Sequence, residues 1–564
     1  MFKKNKHHLQ PVLICSINEL PEEQREYLNT SWSGVFYREF FSRLDEESFA
    51  VLYADMPSRP NVPVNVLVGL EYLKAGFGWS DAEMYEAFLY NLQVRYALGY
   101  DEFGKGRFDL RTLYYFRERL SRYMQETGVN LLDRAFEQVT DEQLASFQLK
   151  TGIQRMDSTM VGSNIRQVGR LQLLVEMLQR VHRMLSADER AHYAEAFVPY
   201  LQGHAGQYVL HLKREEFPRH IQRVGEFMQV LLGGLKEKYS QDPVYLVLER
   251  VFSEHFRVEG ETMKSKTGRE LSANSLQSLD DLEATFRHKS GKGYRGYVAN
   301  LTETCDPKNT LQLITKVQVA PNTTADSHML AEALPNLKQR MDLDKLYTDG
   351  GHGGKEADVA LQEQQVTHIQ TAIRGNGPND KKLSLSDFMI KFNKKGKPVQ
   401  ITCPQQQQAP VHLSSQKKSF MAFFDSAICF RCPFWQAGQC PTHPRKRDAC
   451  HHLEIRLVRA YSAQRRRQSL AQKKEARNLR AAIEATVRSV KHPFPAGKLP
   501  VRGSFRMACV LIGSAAVTNV RRIQHYLKAE SQSDQQRDSF CIIGKAFLMS
   551  CISLFQSPKL NLGC

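Results

Sequence analysis

Long apolar runs are the first thing this chain lacks. Crossing a bilayer takes roughly 18–20 consecutive apolar residues. The longest candidate, Cys509 to Val520, stops short of that, and one nearer the end is broken by Lys545. No membrane role is expected. The opening residues, MFKKNKHHLQPVLICSINELPEEQ, hold only a short apolar patch before charge resumes, so a secretory leader is not expected either and a cytoplasmic protein is. Cysteine is sparse, 11 in 564 residues. In a reducing compartment such cysteines are thiols or metal ligands, not a disulfide framework. No G-x4-G-K-[ST] phosphate loop occurs, which leaves a nucleotide-driven motor without support. No internal repeat stands out. Acid is in deficit: 77 Lys and Arg against 60 Asp and Glu give a net charge of +17. A field of that sign attracts polyanions, and phosphates neutralised by such cations release counterions. Nucleic acid is therefore the expected partner.

The length suggests three or four compact units at roughly 100–200 residues each. Residues 1–150 read as helix. Val66, Leu67, Leu70 and Leu73, then Met84, Phe88, Leu89 and Leu92, recur at helical spacing. Val64–Leu98 looks like two helices joined by a turn at Gly76–Asp81, with Ser80 as N-cap of the second. That shape suits major-groove docking, and equally an ordinary helical hairpin. A third helix places Leu113, Phe116, Leu120 and Met124 on one face. A short extended piece follows, Thr151–Asn164, and residues 165–285 return to helix as an insertion. From Tyr294 the period changes to two. Tyr294–Glu303 and the alternating Leu311, Leu313, Val317 and Val319 read as strands. A helix (Asp326–Leu337), a strand (Leu343–Thr348), a helix (Ala357–Gln365) and a strand (Thr367–Ile373) complete a β-β-α-β-α-β order, which implies a mixed sheet flanked by helices. Residues 375–460 read as a loop-rich, cysteine-rich insert. One long helix is expected from Ala460 to Val490, within a segment 461–500, stopping before Pro493. Residues 501–564 form a helical tail. The fold class is thus α+β and multi-domain.

Three acids stand where phosphoryl-transfer chemistry would need them. Two metal ions roughly 3.5–4 Å apart neutralise the attacking and leaving oxygens of such a reaction, and Mg²⁺ prefers carboxylate oxygen. Asp157 lies in Arg-Met-Asp-Ser-Thr. Asp349 lies in Tyr-Thr-Asp-Gly-Gly-His-Gly-Gly, where glycines allow close backbone approach. Glu484 lies on the late helix, and at 3.6 residues per turn it shares a face with Arg477, Arg480, Arg488 and Lys491. Singly, each acid has an ordinary reading: a turn cap, a loop residue, half of an i,i+4 ion pair. Only the trio in order points to a site. Glu356, Asp358 and Glu454 are rival acids without that context.

The spacing Arg480-x3-Glu484-x6-Lys491, with the Asp-Ser-Thr and Thr-Asp-Gly-Gly segments before it, resembles bacterial insertion-sequence transposases of the DDE class. His288-Lys-Ser-Gly-Lys-Gly-Tyr-Arg-Gly-Tyr297, and the helical region from Asp55-Met-Pro-Ser-Arg-Pro through Leu120, are similar to segments of the same group. Where the group carries Tyr three residues before the Arg, this chain has Arg477. The resemblance implies an RNase H-like core, as in the retroviral integrase superfamily. It implies Asp157, Asp349 and Glu484 as ligands of two Mg²⁺ (or Mn²⁺) ions, and Arg480 and Lys491 on phosphates. It also implies an N-terminal DNA-binding domain, a nucleoid-associated bacterial protein, and a homodimer on double-stranded DNA comprising the element's terminal repeats and its target. The expected function is DNA cleavage and joining of 3′-OH ends to target. The alternatives are a catalytically inactive DNA-binding descendant, and an RNase H-like endonuclease without strand transfer.

Two further features belong to the same reading. Cys403, Cys429, Cys432 and Cys440 could grip one structural Zn²⁺, with His443 or Cys450 as a substitute ligand. Arg445-Lys446-Arg447, Arg465-Arg466-Arg467 and Lys473-Lys474 would form a phosphate-binding stripe leading to Glu484.

Overall fold

In the computed structural model all residues are described except 10–14, 55–59, 101, 261, 290, 372–381, 394–395, 415–418, 446–448, 474–478 and 555–564. For 471–473 and 534–554 the backbone alone is described. The architecture is α+β, with helices predominating and several sheets, none closed into a barrel among the described residues. The chain divides into two units: Met1–Thr151 with Thr304–Thr315 and Ile512–Cys564, and Gly152–Glu303 with Lys316–Leu511.

The first unit is helical. Its central helix, Val64–Phe77, buries Val64, Val66, Leu67, Val68, Leu70, Tyr72 and Leu73, so it is apolar on nearly every side, as a core helix must be. It ends at Gly78, whose left-handed φ of 73° suits a residue without Cβ. Ser80 then accepts from the Glu83 N–H while the Glu83 carboxylate accepts from the Ser80 N–H, a reciprocal cap that starts Asp81–Tyr90. The expected pair of helices is in fact three, because Asn91 caps a further short helix, Leu92–Ala97, by accepting from Val94 N–H. The late helix Ser504–Leu554 contributes to this unit from residue 512 onward. Val517 packs so tightly on Gly76 that a Cβ there would lie 2.4 Å from it. Asn519 accepts from Ile314 N–H at 2.8 Å and donates to Ile314 O at 2.9 Å.

The second unit holds a six-stranded mixed sheet. Its path is Thr285–Lys289, Lys292–Thr304, Ile153–Gly162, Lys345–Thr348, Thr367–Gln370, and Ile314–Pro321 pairs with Lys292–Thr304. The first two strands are antiparallel; Ile153–Gly162, Lys345–Thr348 and Thr367–Gln370 run parallel. Parallel neighbours need crossovers, and the helices Asp326–Arg340 and Lys355–Glu363 supply the elements between strands. Between Ile153–Gly162 and the next strand lies a helical block with its own core. Leu171, Leu174, Val175, Leu178 and Val181 of Arg170–Met184 pack with Phe197, Met228, Leu231 and Leu248.

Two expectations need correction. Residues 389–455 are not loop-rich. They form a six-stranded antiparallel sheet, His443–Pro444, Cys450–Ile455, Phe420–Asp425, Gln408–Leu413, Pro398–Thr402 and Met389–Phe392 in order, over a core of Phe388, Ile401, Ala422, Phe424 and Ile455. Strands of two to six residues between polar turns give too short an alternation to register as strand from sequence. The single helix from Ala460 to Val490 is two, Leu457–Lys473 and Ile483–Lys491, with a turn over 479–482. The physical reason is a remote partner. The Leu479 carbonyl accepts from Arg155 Nη1 at 2.7 Å, so a side chain from the sheet takes up an acceptor that a continuous helix would use itself.

Candidate active site

Parallel register sets the first two acids side by side. Arg155 of Ile153–Gly162 faces Tyr347 of Lys345–Thr348. Two residues further along each chain stand Asp157 and Asp349, at the carboxyl end of the shorter strand, the edge where open sheets with parallel strands bind ligands. Asp349 is held by the loop it opens. Its Oδ1 accepts from Gly351 N–H at 2.8 Å and from His352 Nδ1 at 2.8 Å, and no described hydrogen bond reaches its Oδ2. The fully buried His352 is backed by Asn300 Oδ1 at 3.4 Å from its Nε2. Gln370 Nε2 donates to Asp349 O at 3.2 Å, and a Cβ on Gly353 would meet that nitrogen at 2.8 Å and Arg465 Nε at 3.2 Å, so this loop tolerates only glycine there without repacking.

Glu484 joins from the helix Ile483–Lys491. Arg480 Nη2 lies 2.9 Å from Asp157 Oδ2 and 3.3 Å from Glu484 Oε1. One guanidinium nitrogen thus touches both carboxylates, and their oxygens can be no further apart than those two contacts allow. Arg480 also acts electrostatically on Asp349. Arg480 therefore bridges Asp157 and Glu484, while Asp349 stands at the end of the strand paired beside that of Asp157. Asp157 and Asp349 respond in opposite ways. Burial raises the Asp157 carboxyl above its ordinary range, against the pull of Arg480, and the charge of Asp349 adds to the rise. The hydrogen bond from His352 holds Asp349 well below the usual range, against its own desolvation.

The expected cations divide between interior and surface. Lys491 turns inward: its Nζ donates to Thr159 Oγ1 at 3.1 Å and Met160 O at 2.9 Å, and burial lowers its proton affinity. Arg465 is mostly enclosed, in an ion pair with the buried Asp358. Arg467 and Arg488 are exposed and Arg466 is half-buried. Arg477, Lys446, Arg447 and Lys474 lie outside the described residues. Arg445 is exposed, its guanidinium 5.2 Å from the centre of the Phe423 ring.

Residues 24–119 match a family model described as Transposase domain (DUF772), and residues 402–524 match one described as Transposase DDE domain. Both matches are to transposase domains, and together they indicate an insertion-sequence DDE transposase. The second match includes Glu484, while Asp157 and Asp349 of the transposase lie outside it; Arg480 links Glu484 to Asp157, and the sheet register sets the Asp349 strand beside that of Asp157. Neither a curated protein nor a solved structure matches the chain. A transposase of this class acts on DNA and generally uses divalent metal ions. No helix among the described residues is long and apolar enough to cross a membrane. No group of three or more His, Cys, Asp or Glu among the described residues is spaced to hold a metal ion. By kind the donors still fit a hard cation: Asp157 and Asp349 are carboxylates on neighbouring strands, Arg480 ties Glu484 to Asp157, and Asp349 Oδ2 has no described partner.

Sequence reasoning missed His352, Asn300, Arg155 and Glu303. His352 stood in view inside Gly-Gly-His-Gly-Gly. A signal for Glu303 was an acid closing a strand of otherwise apolar and β-branched residues.

Proposed function

We propose that this transposase cleaves DNA at the ends of a mobile element and joins the resulting 3′-OH ends to target DNA, with Asp157, Asp349 and Glu484 as its acid triad. The observation that carries the reading is the contact of Arg480 with both Asp157 and Glu484, with Asp349 at the end of the strand paired beside that of Asp157. The mixed sheet, with its β-β-α-β-α-β order after the helical block, supports an RNase H-like core. When bound, divalent ions (two Mg²⁺ or Mn²⁺) would supply charge neutralisation at the attacking and leaving oxygens. The chain's part is positional. The sheet presents Asp157 and Asp349 in adjacent register, His352 fixes Asp349, and Arg480 offsets the repulsion of Asp157 and Glu484 until substrate arrives. Exposed Arg488 and Arg467, with Arg466, are assigned to phosphate contact, as is Arg477. Arg480 can turn its planar fork to a phosphate. Lys491 is assigned to holding the Glu484 helix rather than DNA. A homodimer pairing two element ends completes the reading.

The cysteines extend it. Cys403, Cys429, Cys432 and Cys440 line one cavity of about 30 Å³. Burial first, and the neighbouring thiols next, push the Cys429 thiol up to about 12. Four crowded thiols become thiolates together only beside a cation, and Zn²⁺ is the ion this donor set suits.

Full-length Asp349→Ala tests the central proposal on a duplex carrying the DNA that flanks this reading frame. It should bind as wild type does and neither cleave nor join. Unchanged cleavage would reject the triad, and cleavage by wild type without joining of a labelled 3′-OH end would favour the simple endonuclease.

A further inference from the structure

Strand residues two apart share a face, so Arg155 projects from Ile153–Gly162 on the same side as Asp157. It meets Glu303 of the strand Lys292–Thr304: Arg155 Nε lies 2.6 Å from Glu303 Oε1. Glu303 is wholly enclosed, with side-chain exposure of 0%. Its second oxygen, Oε2, accepts from Thr486 Oγ1 at 2.7 Å. Arg155 Nη1 donates to Leu479 O at 2.7 Å. Leu479 and Thr486 flank Glu484, one in the turn before its helix and the other one place beyond the next residue. Lys491 fastens the far end of the same helix to Thr159 and Met160 of the Asp157 strand.

An enclosed ion pair is a poor way to gain stability. Desolvation offsets most of the attraction, and apolar residues of similar volume often do as well or better. The best-attested use of such pairs is to set register. Here both oxygens of one carboxylate are committed, one to the strand that carries the first acid and one to the helix that carries the third.

We propose that Glu303 is a positioning residue: with Arg155 and Thr486 it sets the height and rotation of the Glu484 helix over Asp157, so that the third acid reaches the cation held by the other two. This rests on the triad proposed above. Glu303 is not a ligand in its own right, because it is closed to solvent and both of its oxygens are occupied.

The test is Mn²⁺ titration of the full-length protein by calorimetry, in parallel with thermal melting. Thr486→Val keeps shape and removes the hydroxyl; Thr486→Ser keeps the hydroxyl; Glu303→Gln removes the charge. Asp349→Ala is the control for binding at the triad. Outer partners of metal ligands typically contribute about 10–100-fold in affinity. Thr486→Val and Glu303→Gln should therefore weaken Mn²⁺ binding at least about tenfold, and Thr486→Ser should restore it. Thr486→Val leaves a Glu303 oxygen without this donor and should melt below wild type yet stay folded, which keeps the test open if Glu303→Gln does not fold. A Mn²⁺ curve for Thr486→Val that superimposes on wild type, or no rescue by serine, overturns the positioning role while leaving the triad intact. Wild-type binding no tighter than that of Asp349→Ala overturns the triad and this inference with it.

Discussion

Arg480 reaches Asp157 across 323 residues of chain, a 2.9 Å contact between a turn before one helix and the middle of a strand. No local preference could bring them together; the sheet and the turn do it.

Removing that charge should alter the pH response of cleavage. Burial already raises the Asp157 carboxyl, and Arg480 works against the rise. In Arg480→Gln the folded-state value climbs further, so the ionised form is lost at a higher pH as acid is added. The acid limb of the rate–pH profile should move to higher pH, read from cleavage rates across a buffer series. Arg480→Lys, a point charge without a fork, should keep the limb near wild type but cleave more slowly. A profile unchanged in Arg480→Gln would count against Asp157 as an ionised participant.

The largely enclosed pair Arg465–Asp358, with side-chain exposures of 11% and 4%, makes a separate prediction. Breaking one partner of such a pair leaves a buried charge and typically costs about 3–5 kcal/mol. Arg465→Met should show that loss in chemical denaturation, and Arg465→Met with Asp358→Leu should recover most of it. If the single variant unfolds like wild type, Arg465 is available to DNA after all.

His255 closes the last helix of the helical block with neither ring nitrogen partnered among the described residues. Burial, reinforced by Arg170 and Lys266, lowers its value from 6.5 to about 4. The folded protein therefore binds fewer protons than the unfolded chain. The neutral ring's contribution is complete above pH 6.5 and is lost as pH falls from there toward about 4. Melting temperature should drop across that window, and His255→Leu should flatten the drop. An equal drop in both proteins would assign it to other groups.

Metal analysis tests the cysteine cavity. One zinc per chain should co-purify with the wild type and be lost with Cys432→Ser, while the triad's Mn²⁺ titration is unaffected. Zinc-free protein with unchanged melting would leave the four thiols as ordinary core.

The sequence was most readable where structure is local. Ser80 and Glu83 announce their helix because the cap lies within four residues. The segments around Asp157, Asp349 and the strand at Tyr294 alternate or end in glycine, and each appears as an element near its expected bounds. Legibility failed where one residue's partner is remote. Arg155 gives no hint in its own neighbourhood that it will take the Leu479 carbonyl, so the break between Leu457–Lys473 and Ile483–Lys491 looked like continuous helix. Lys491 and Arg465 read as surface cations because nothing nearby in sequence marks Thr159 or Asp358 as their partners. The antiparallel sheet over 389–455 was missed because its strands are too short to sustain a period.

The first unit draws on three separate stretches of chain, and Val517 and Asn519, from the last of them, fill contacts against Gly76 and Ile314. During synthesis, Gly76 is exposed long before Val517 exists. The amino-terminal helices must therefore wait, incompletely sealed, until translation passes residue 512, and a nascent chain arrested earlier should remain sensitive to protease there.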